Sequence, residues 1–188
     1  MKRIVIFASG SGTNAENLIE FFQDRETGSV VQLLTNNPHA KVLDRAKRLK
    51  VSALSFNKIA YTETDDVLHI LRNAKPDLIV LAGFLWLFPK NILIEFSNKV
   101  INLHPALLPK YGGKGMYGMN VHDAVVANKE TETGITIHYV NEHYDEGAII
   151  FQSKCAVLET DSAQDVADKI HELEMAHFPE VVESLLKE

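Results

Sequence analysis

RIVIFASGSGTN, residues Arg3 to Asn14, decides the fold: a run of β-branched and aromatic residues stops at a glycine-rich turn, and a helical pattern follows at once. Leu18, Ile19 and Phe22 carry that pattern onward on one helical face. Strand, turn and helix in this order open a sheet whose next strand runs parallel, because a parallel neighbour is reached only through a crossover. The alternation continues outward. VVQLLT (Val30 to Thr35), DLIVLA (Asp77 to Ala82) and KVINLH (Lys99 to His104) read as strands, the later two apolar enough to be buried on both faces. Between them, Asn14 to Asp24, His39 to Leu49 and Thr62 to Ala74 carry apolar residues at helical spacing, the third through Val67, Ile70 and Leu71. After residue 110 the pattern changes. GITIHYV (Gly134 to Val140) and AIIFQSKCAV (Ala148 to Val157), joined across Asp145-Glu146-Gly147, predict an added antiparallel strand pair. Ser162 to Leu186 predicts a final amphipathic helix in which Pro179 is expected to kink or break the run. The expectation is one α/β domain over residues 1–188, a mostly parallel central sheet flanked by helices on both faces.

Composition bounds what such a domain does. With 188 residues, 46% of them hydrophobic, the chain holds one substantial core. A net charge of -6 argues against general attraction to nucleic acid, which Lys and Arg contacts to phosphate dominate. A single cysteine, Cys155, allows no internal disulfide, and no Cys/His cluster has zinc-like spacing. The expectation is therefore a cytoplasmic protein with no metal. The apolar run of MKRIVIFA ends at Ser9-Gly10, too short for a signal-peptide core or a membrane span.

In FASGSGTN (Phe7 to Asn14), glycines at 10 and 12 let peptide N–H groups approach an anion, and Ser11, Thr13 and Asn14 add side-chain donors beside a helix N-terminus. Phosphate suits such a turn. A dinucleotide fingerprint is incomplete, because Ala15 stands at the third glycine position and Asn36-Asn37 replaces the later acidic residue. The bland alternative is a βα turn with a Ser/Thr cap.

NLHPALLP (Asn102 to Pro109) puts an amide and an imidazole two residues apart, hence on one face of a strand, and Pro105 ends the ladder beyond them. Both side chains then stand at the carboxyl end of a strand, where open parallel sheets build their ligand crevices. An amide can donate to a carbonyl oxygen that gains charge, and an imidazole can carry a proton near neutral pH. A hydrogen-bonded structural histidine is the competing account of His104. Asp145 is a candidate carboxylate to orient it, although a turn aspartate commonly bonds only its own backbone.

Taken together, SGSGTN, LAGFLWLF (Leu81 to Phe88), INLHPALLPKYGGKGMYG (Ile101 to Gly118) and GITIHYVNEHYDEGAIIFQ (Gly134 to Gln152) resemble the phosphoribosylglycinamide formyltransferase family across essentially the whole chain. The resemblance implies a single Rossmann-like formyltransferase domain, with residues 1–100 as a phosphate-binding half and 101–188 as a catalytic and folate-binding half. It implies transfer of a formyl group from the cosubstrate 10-formyltetrahydrofolate to the amino group of phosphoribosylglycinamide in purine biosynthesis, with no nucleic acid or membrane as partner. By the same resemblance Asn102 binds the formyl oxygen, His104 is the general acid/base, and Asp145 holds His104, raises its pKa and orders a water. Gly12, Thr13 and Asn14 would take the substrate phosphate and Glu174 the ribose hydroxyls. The folate ring would lie on Leu85, Trp86, Leu87 and Phe88, on Val140, Asn141 and the backbone as far as Asp145, and beside Asn102. His138 would line that pocket or only support it.

The chain also departs from the family pattern. Leu85-Trp86 stands where Met-Arg is frequent, NKIAYTE (Asn57 to Glu63) offers no clear equivalent of a folate-contacting arginine, and Met175 follows Glu174 where many members have His. YGGKGMYG (Tyr111 to Gly118) is either a gate over the crevice or an ordinary surface loop. A methionyl-tRNA formyltransferase or a formyltetrahydrofolate deformylase shares this core, but each usually carries a further domain that 188 residues are not expected to hold. A non-catalytic sugar-phosphate-binding module would need SGSGTN without the Asn, His and Asp. Monomer and homodimer share one amphipathic pattern and stay equally open.

Overall fold

The structure is a computed structural model and describes residues 1–187. Seven strands form one sheet: β1 (Lys2–Phe7), β2 (Gly28–Thr35), β3 (Ala53–Ser55), β4 (Leu78–Leu81), β5 (Val100–His104), β6 (Glu132–Tyr139) and β7 (Ile149–Ala156). Their spatial order is β3-β2-β1-β4-β5-β6-β7. Strands β1 to β5 are mutually parallel, and β6 is antiparallel to both β5 and β7. The predicted antiparallel pair is therefore present, with β6 alone running against the other six. Chain order reverses between β1 and β4, the switch point at which open α/β sheets leave a crevice beyond their carboxyl ends.

Alternation along β1 builds two cores. Ile4 and Ile6 face α1 (Thr13–Gln23), α2 (Val42–Arg48) and the end of the chain, while Val5 and Phe7 face α3 (Lys58–Thr62), α4 (Asp66–Ala74) and α5 (Lys90–Glu95). The second core is rich in aromatics. Phe7 sits edge-on to Phe56, Phe84 and Phe88 with centroids 5.2 to 5.9 Å apart, the T-shaped arrangement that the ring quadrupoles favour. Val100 of β5 belongs to this face, and the next residues on it, Asn102 and His104, are polar. The aromatic core stops where the crevice begins.

Three details differ from the sequence reading. The helix expected over Thr62 to Ala74 starts later, as α4, because Thr64 donates to Asp66 Oδ2 at 2.7 Å and this local bond competes with helix there; the separate α3 precedes it, capped by Asn57, which accepts from the Ala60 N–H at 2.9 Å. The sequence reading lacks β3, α3, α5 and α6 (Met119–Ala127), since three to nine residues carry too few periods to stand out. Pro179 neither ends nor splits α7, which runs unbroken over Ala163–Lys187. The ring removes the N–H that would have met the Met175 carbonyl, and the Asn17 side chain supplies a replacement, donating to that oxygen at 3.0 Å. Helix α1 thereby repairs α7.

Candidate active site

Residues from both ends of the chain meet at the switch point. Gly12 caps α1 in the left-handed region at φ 76°, and a Cβ there would lie 2.2 Å from Val42 Cγ2. No side chain caps α1, so its first N–H groups face outward. Arg45 fixes the turn from behind: its Nε donates to the Ser11 carbonyl at 2.8 Å, and its guanidinium pairs with Glu16. Ser11 and Asn14 line a cavity of about 620 Å³ that reaches Asn102, His104 and Asp145 and is closed by Glu174 on α7. Gly12 and Thr13 are not among its lining residues. Ser11 takes their place on the wall.

Cross-strand register assembles the polar centre. Asn102 pairs with His138 and His104 with Thr136, all on the face past the aromatic core. Thr136 is fully buried; it donates to the Ala106 carbonyl at 2.6 Å and accepts from the Leu108 N–H at 3.0 Å, which fixes the chain just after His104. The turn after β6 then returns Asp145 to the same place. Gly147 is obligatory there, since a Cβ would lie 1.6 Å from the Tyr139 carbonyl oxygen. The result is a carboxylate between two imidazoles, with His104 Nδ1 3.6 Å from Asp145 Oδ2 and His138 Nε2 3.6 Å from Oδ1. Both imidazoles are buried, His104 to 3% exposure and His138 to 2%.

Hydrogen-bond acceptors set the protonation pattern. His104 Nε2 lies 2.8 Å from the Tyr111 carbonyl, which can only accept, so Nε2 carries a hydrogen and Nδ1 is the nitrogen that titrates, facing Asp145. His138 Nδ1 likewise donates to the Tyr139 carbonyl at 2.8 Å. Its Nε2 is then free to accept from Asn102 Nδ2 at 3.1 Å. The other amide hydrogen of Asn102 reaches Asp145 Oδ1 only at 3.4 Å. That long bond is the one an incoming oxygen can displace at least cost.

Burial pushes the His104 pKa down, and attraction to Asp145 and the bond to Tyr111 only partly offset it, so the net direction is below the usual value. Asp145 acts upward on this pKa, but burial outweighs its pull. Burial pushes the Asp145 carboxyl up, but the His138 and His104 rings, which attract the carboxylate whenever they carry charge, and the Gly113 N–H at 2.9 Å outweigh it and hold the group below its ordinary range. Burial raises Glu174, against Asn14 Nδ2 donating to its Oε2 at 2.8 Å and His171 nearby. Asn14 Oδ1 is buried without a partner among the described residues.

A second, narrow recess of about 50 Å³ adjoins the first at Asn102 and Asp145, lined by Trp86, Leu87, Phe88, Val140 and Tyr144. Leu85 lines the larger cavity instead, and Asn141 lines neither, its Oδ1 accepting from the His143 N–H at 2.9 Å in a local turn. His138 lines the recess. The Gly113 to Gly118 segment forms one wall of the larger cavity. Sequence reasoning missed His171 and His122 and included Tyr144 only by its backbone; all three also line it. His122 is 6% exposed and its Nδ1 has no partner among the described residues; a lone histidine on an apolar helix gave no sequence signal.

A doubly wound α/β sheet with an amide, an imidazole and a carboxylate converging beyond its switch point defines a group-transfer site built on side chains. The chain belongs to the formyl transferase family, whose model matches residues 2–182. It is 35% identical to the chloroplastic phosphoribosylglycinamide formyltransferase of Arabidopsis thaliana, with 100% of this chain matched, and spans 66% of that protein's length. It is 33% identical to the phosphoribosylglycinamide formyltransferase of Bacillus subtilis, covering 99% of this chain and 95% of that one. The crystal structure of glycinamide ribonucleotide transformylase 1 from Symbiobacterium toebii superposes with a TM-score of 0.90 at 30% identity, covering 100% of this chain and 88% of that one.

Proposed function

We propose that this protein transfers a formyl group from 10-formyltetrahydrofolate to the amino group of phosphoribosylglycinamide, giving the N-formyl product and tetrahydrofolate. One observation carries the reading: Asn102, His104 and Asp145 meet where the two cavities join, so a carbon held there is reached by one molecule from each side. The phosphate end is the uncapped N-terminus of α1 beside Ser11, where N–H groups and the helix dipole favour an anion. The Asn14 side chain gives one amide hydrogen to Glu174 and keeps a second N–H for an anion, together with a buried, unpartnered Oδ1. That acceptor and Glu174 suit substrate hydroxyl and amide hydrogens.

The folate ring would enter the recess between Trp86 to Phe88 and Val140 to Asp145. A volume of about 50 Å³ is too small for a bicyclic ring, and Leu87 and Tyr144, 41% and 38% exposed, are the wall residues free to move aside. In the reaction the neutral amine attacks the formyl carbon, and Asn102 Nδ2 gives up Asp145 to donate to the oxygen that becomes negative. His104 Nδ1 takes the ammonium proton, and its imidazolium is stabilised by Asp145 on one side and the Tyr111 carbonyl on the other. Return of that proton to the folate nitrogen accompanies cleavage of its bond to carbon. His104, held below its ordinary pKa, is neutral and ready as a base at physiological pH. A cytoplasmic setting fits the single thiol, Cys155. No helix among the described residues is long and apolar enough to cross a membrane.

The test is transfer from 10-formyltetrahydrofolate to phosphoribosylglycinamide, methionyl-tRNA or water by the purified protein. Formylation of the first acceptor alone is the expected result. Formylation of tRNA, or release of formate without an acceptor, overturns the assignment.

A further inference from the structure

Between β5 and β6 the chain makes its longest excursion from the sheet, and one carboxylate ties the two ends of that excursion together. Glu130 lies just before β6, and its Oε1 accepts from the Tyr111 hydroxyl at 2.9 Å. Lys110 Nζ donates to both oxygens of Glu130, at 3.0 and 3.1 Å. The ion pair is open to water on the lysine side and by itself contributes little. The phenol bond is directional and holds a residue whose backbone is under strain. Tyr111 has φ 57°, a left-handed conformation that is costly for a non-glycine residue and persists only where its surroundings enforce it. Its carbonyl is the acceptor 2.8 Å from His104 Nε2, and two residues on, the Gly113 N–H reaches Asp145.

We propose that Glu130, although it lies outside the cavity, is a positioning residue for His104, holding Tyr111 so that its carbonyl keeps the imidazole in the Nε2–H form with Nδ1 turned to the reacting groups. The inference rests on the reading of His104 as the proton carrier. Around the Glu130 carboxylate stand Lys110, the Tyr111 phenol and, beyond Lys110, Glu132; Asn128 lies beside the phenol. Facing His104 are Asp145, His138 and His122. The carbonyl bond favours the charged imidazole, so its loss frees the ring to change tautomer and moves its titration to lower pH.

Nitrogen-resolved NMR of the imidazole signal, identified by its absence in His104→Gln, reads this without substrate. The wild type is expected to show one Nε2–H tautomer. Glu130→Ala and Tyr111→Phe are each expected to mix tautomers and lower the titration midpoint, and the double variant to do no more than either. Glu130→Gln keeps an acceptor for the phenol and is expected to match the wild type. In formyl transfer, Glu130→Ala should lower kcat on the order of 10-fold, short of the 10²-fold cost of a fully misplaced group, with both KM values nearly unchanged. Wild-type tautomer and midpoint in Glu130→Ala overturn the proposal, and a lowered Tm alongside them does so equally, because it reveals a role in stability alone. A wild-type protein that transfers no formyl group sinks the functional assignment and leaves the NMR comparison standing.

Discussion

Replacing Asn17 by alanine tests how α7 survives a proline in its interior. The Met175 carbonyl has lost its helical partner at Pro179, and Asn17 Nδ2 at 3.0 Å replaces it. Removing the amide deletes one hydrogen bond and strands a partly buried acceptor, for a loss of roughly 1 to 2 kcal/mol. For a chain of this size that lowers Tm by about 2 to 8 °C, measurable by calorimetry. The decisive comparison is a cycle with Pro179→Ala, which restores an N–H to the same carbonyl. In that background Asn17→Ala should cost less than about 0.5 kcal/mol, because the acceptor is already met. Since Asn14 and Glu174 pair across the same two helices, the single variant should also raise KM for the phosphorylated substrate. An equal loss of stability in both backgrounds would refute the account, as would no loss in either.

Other outcomes follow from the site. Asn102→Ala removes the donor we assign to the developing oxyanion and should lower kcat by about 10² to 10³-fold; a change below tenfold in single-turnover transfer would count against that role. In Asp145→Asn, His104 loses its strongest support for the charged form, so its titration should move further down in pH, and an upward move by NMR contradicts the geometry. Asp145 ionises more readily folded than unfolded, so it stabilises the fold at neutral pH, and that contribution fades as pH falls below its ordinary 3.8. The stability gap between wild type and Asp145→Asn in urea should therefore narrow at low pH, and a constant gap would exclude this linkage. Gly12→Ala combines a left-handed backbone with a Cβ 2.2 Å from Val42 and should cost roughly 2 to 4 kcal/mol, with weaker substrate-phosphate binding; an unchanged urea midpoint would show that the turn adapts.

Much of the framework was legible because it is written in short-range pattern. The short β-branched and apolar runs located β1, β2, β4 and β5 to within a residue or two, and the alternation of strand side chains put Asn102 and His104 on one face. Glu174 was less legible: a glutamate on a helix looks solvated until Asn14 is seen against it. Ser11, rather than Gly12 or Thr13, reaches the cavity because the left-handed turn at Gly12 packs inward on Val42, a contact between segments that no local spacing reveals.

By itself the sequence determined the succession of strands and helices and which side chains share a face, since both depend on neighbours a few residues apart and on the fixed periods of the backbone. It also carried the chemical types needed for acyl-level transfer. Tertiary structure alone decided that Asp145, 43 residues from Asn102, lies between two imidazoles, that His104 is depressed rather than raised in pKa, and that α7 continues through Pro179. Each of these is the outcome of summed packing, in which burial outweighs a nearby charge or a side chain from another helix replaces a missing N–H, and such sums exist only once the chain is folded.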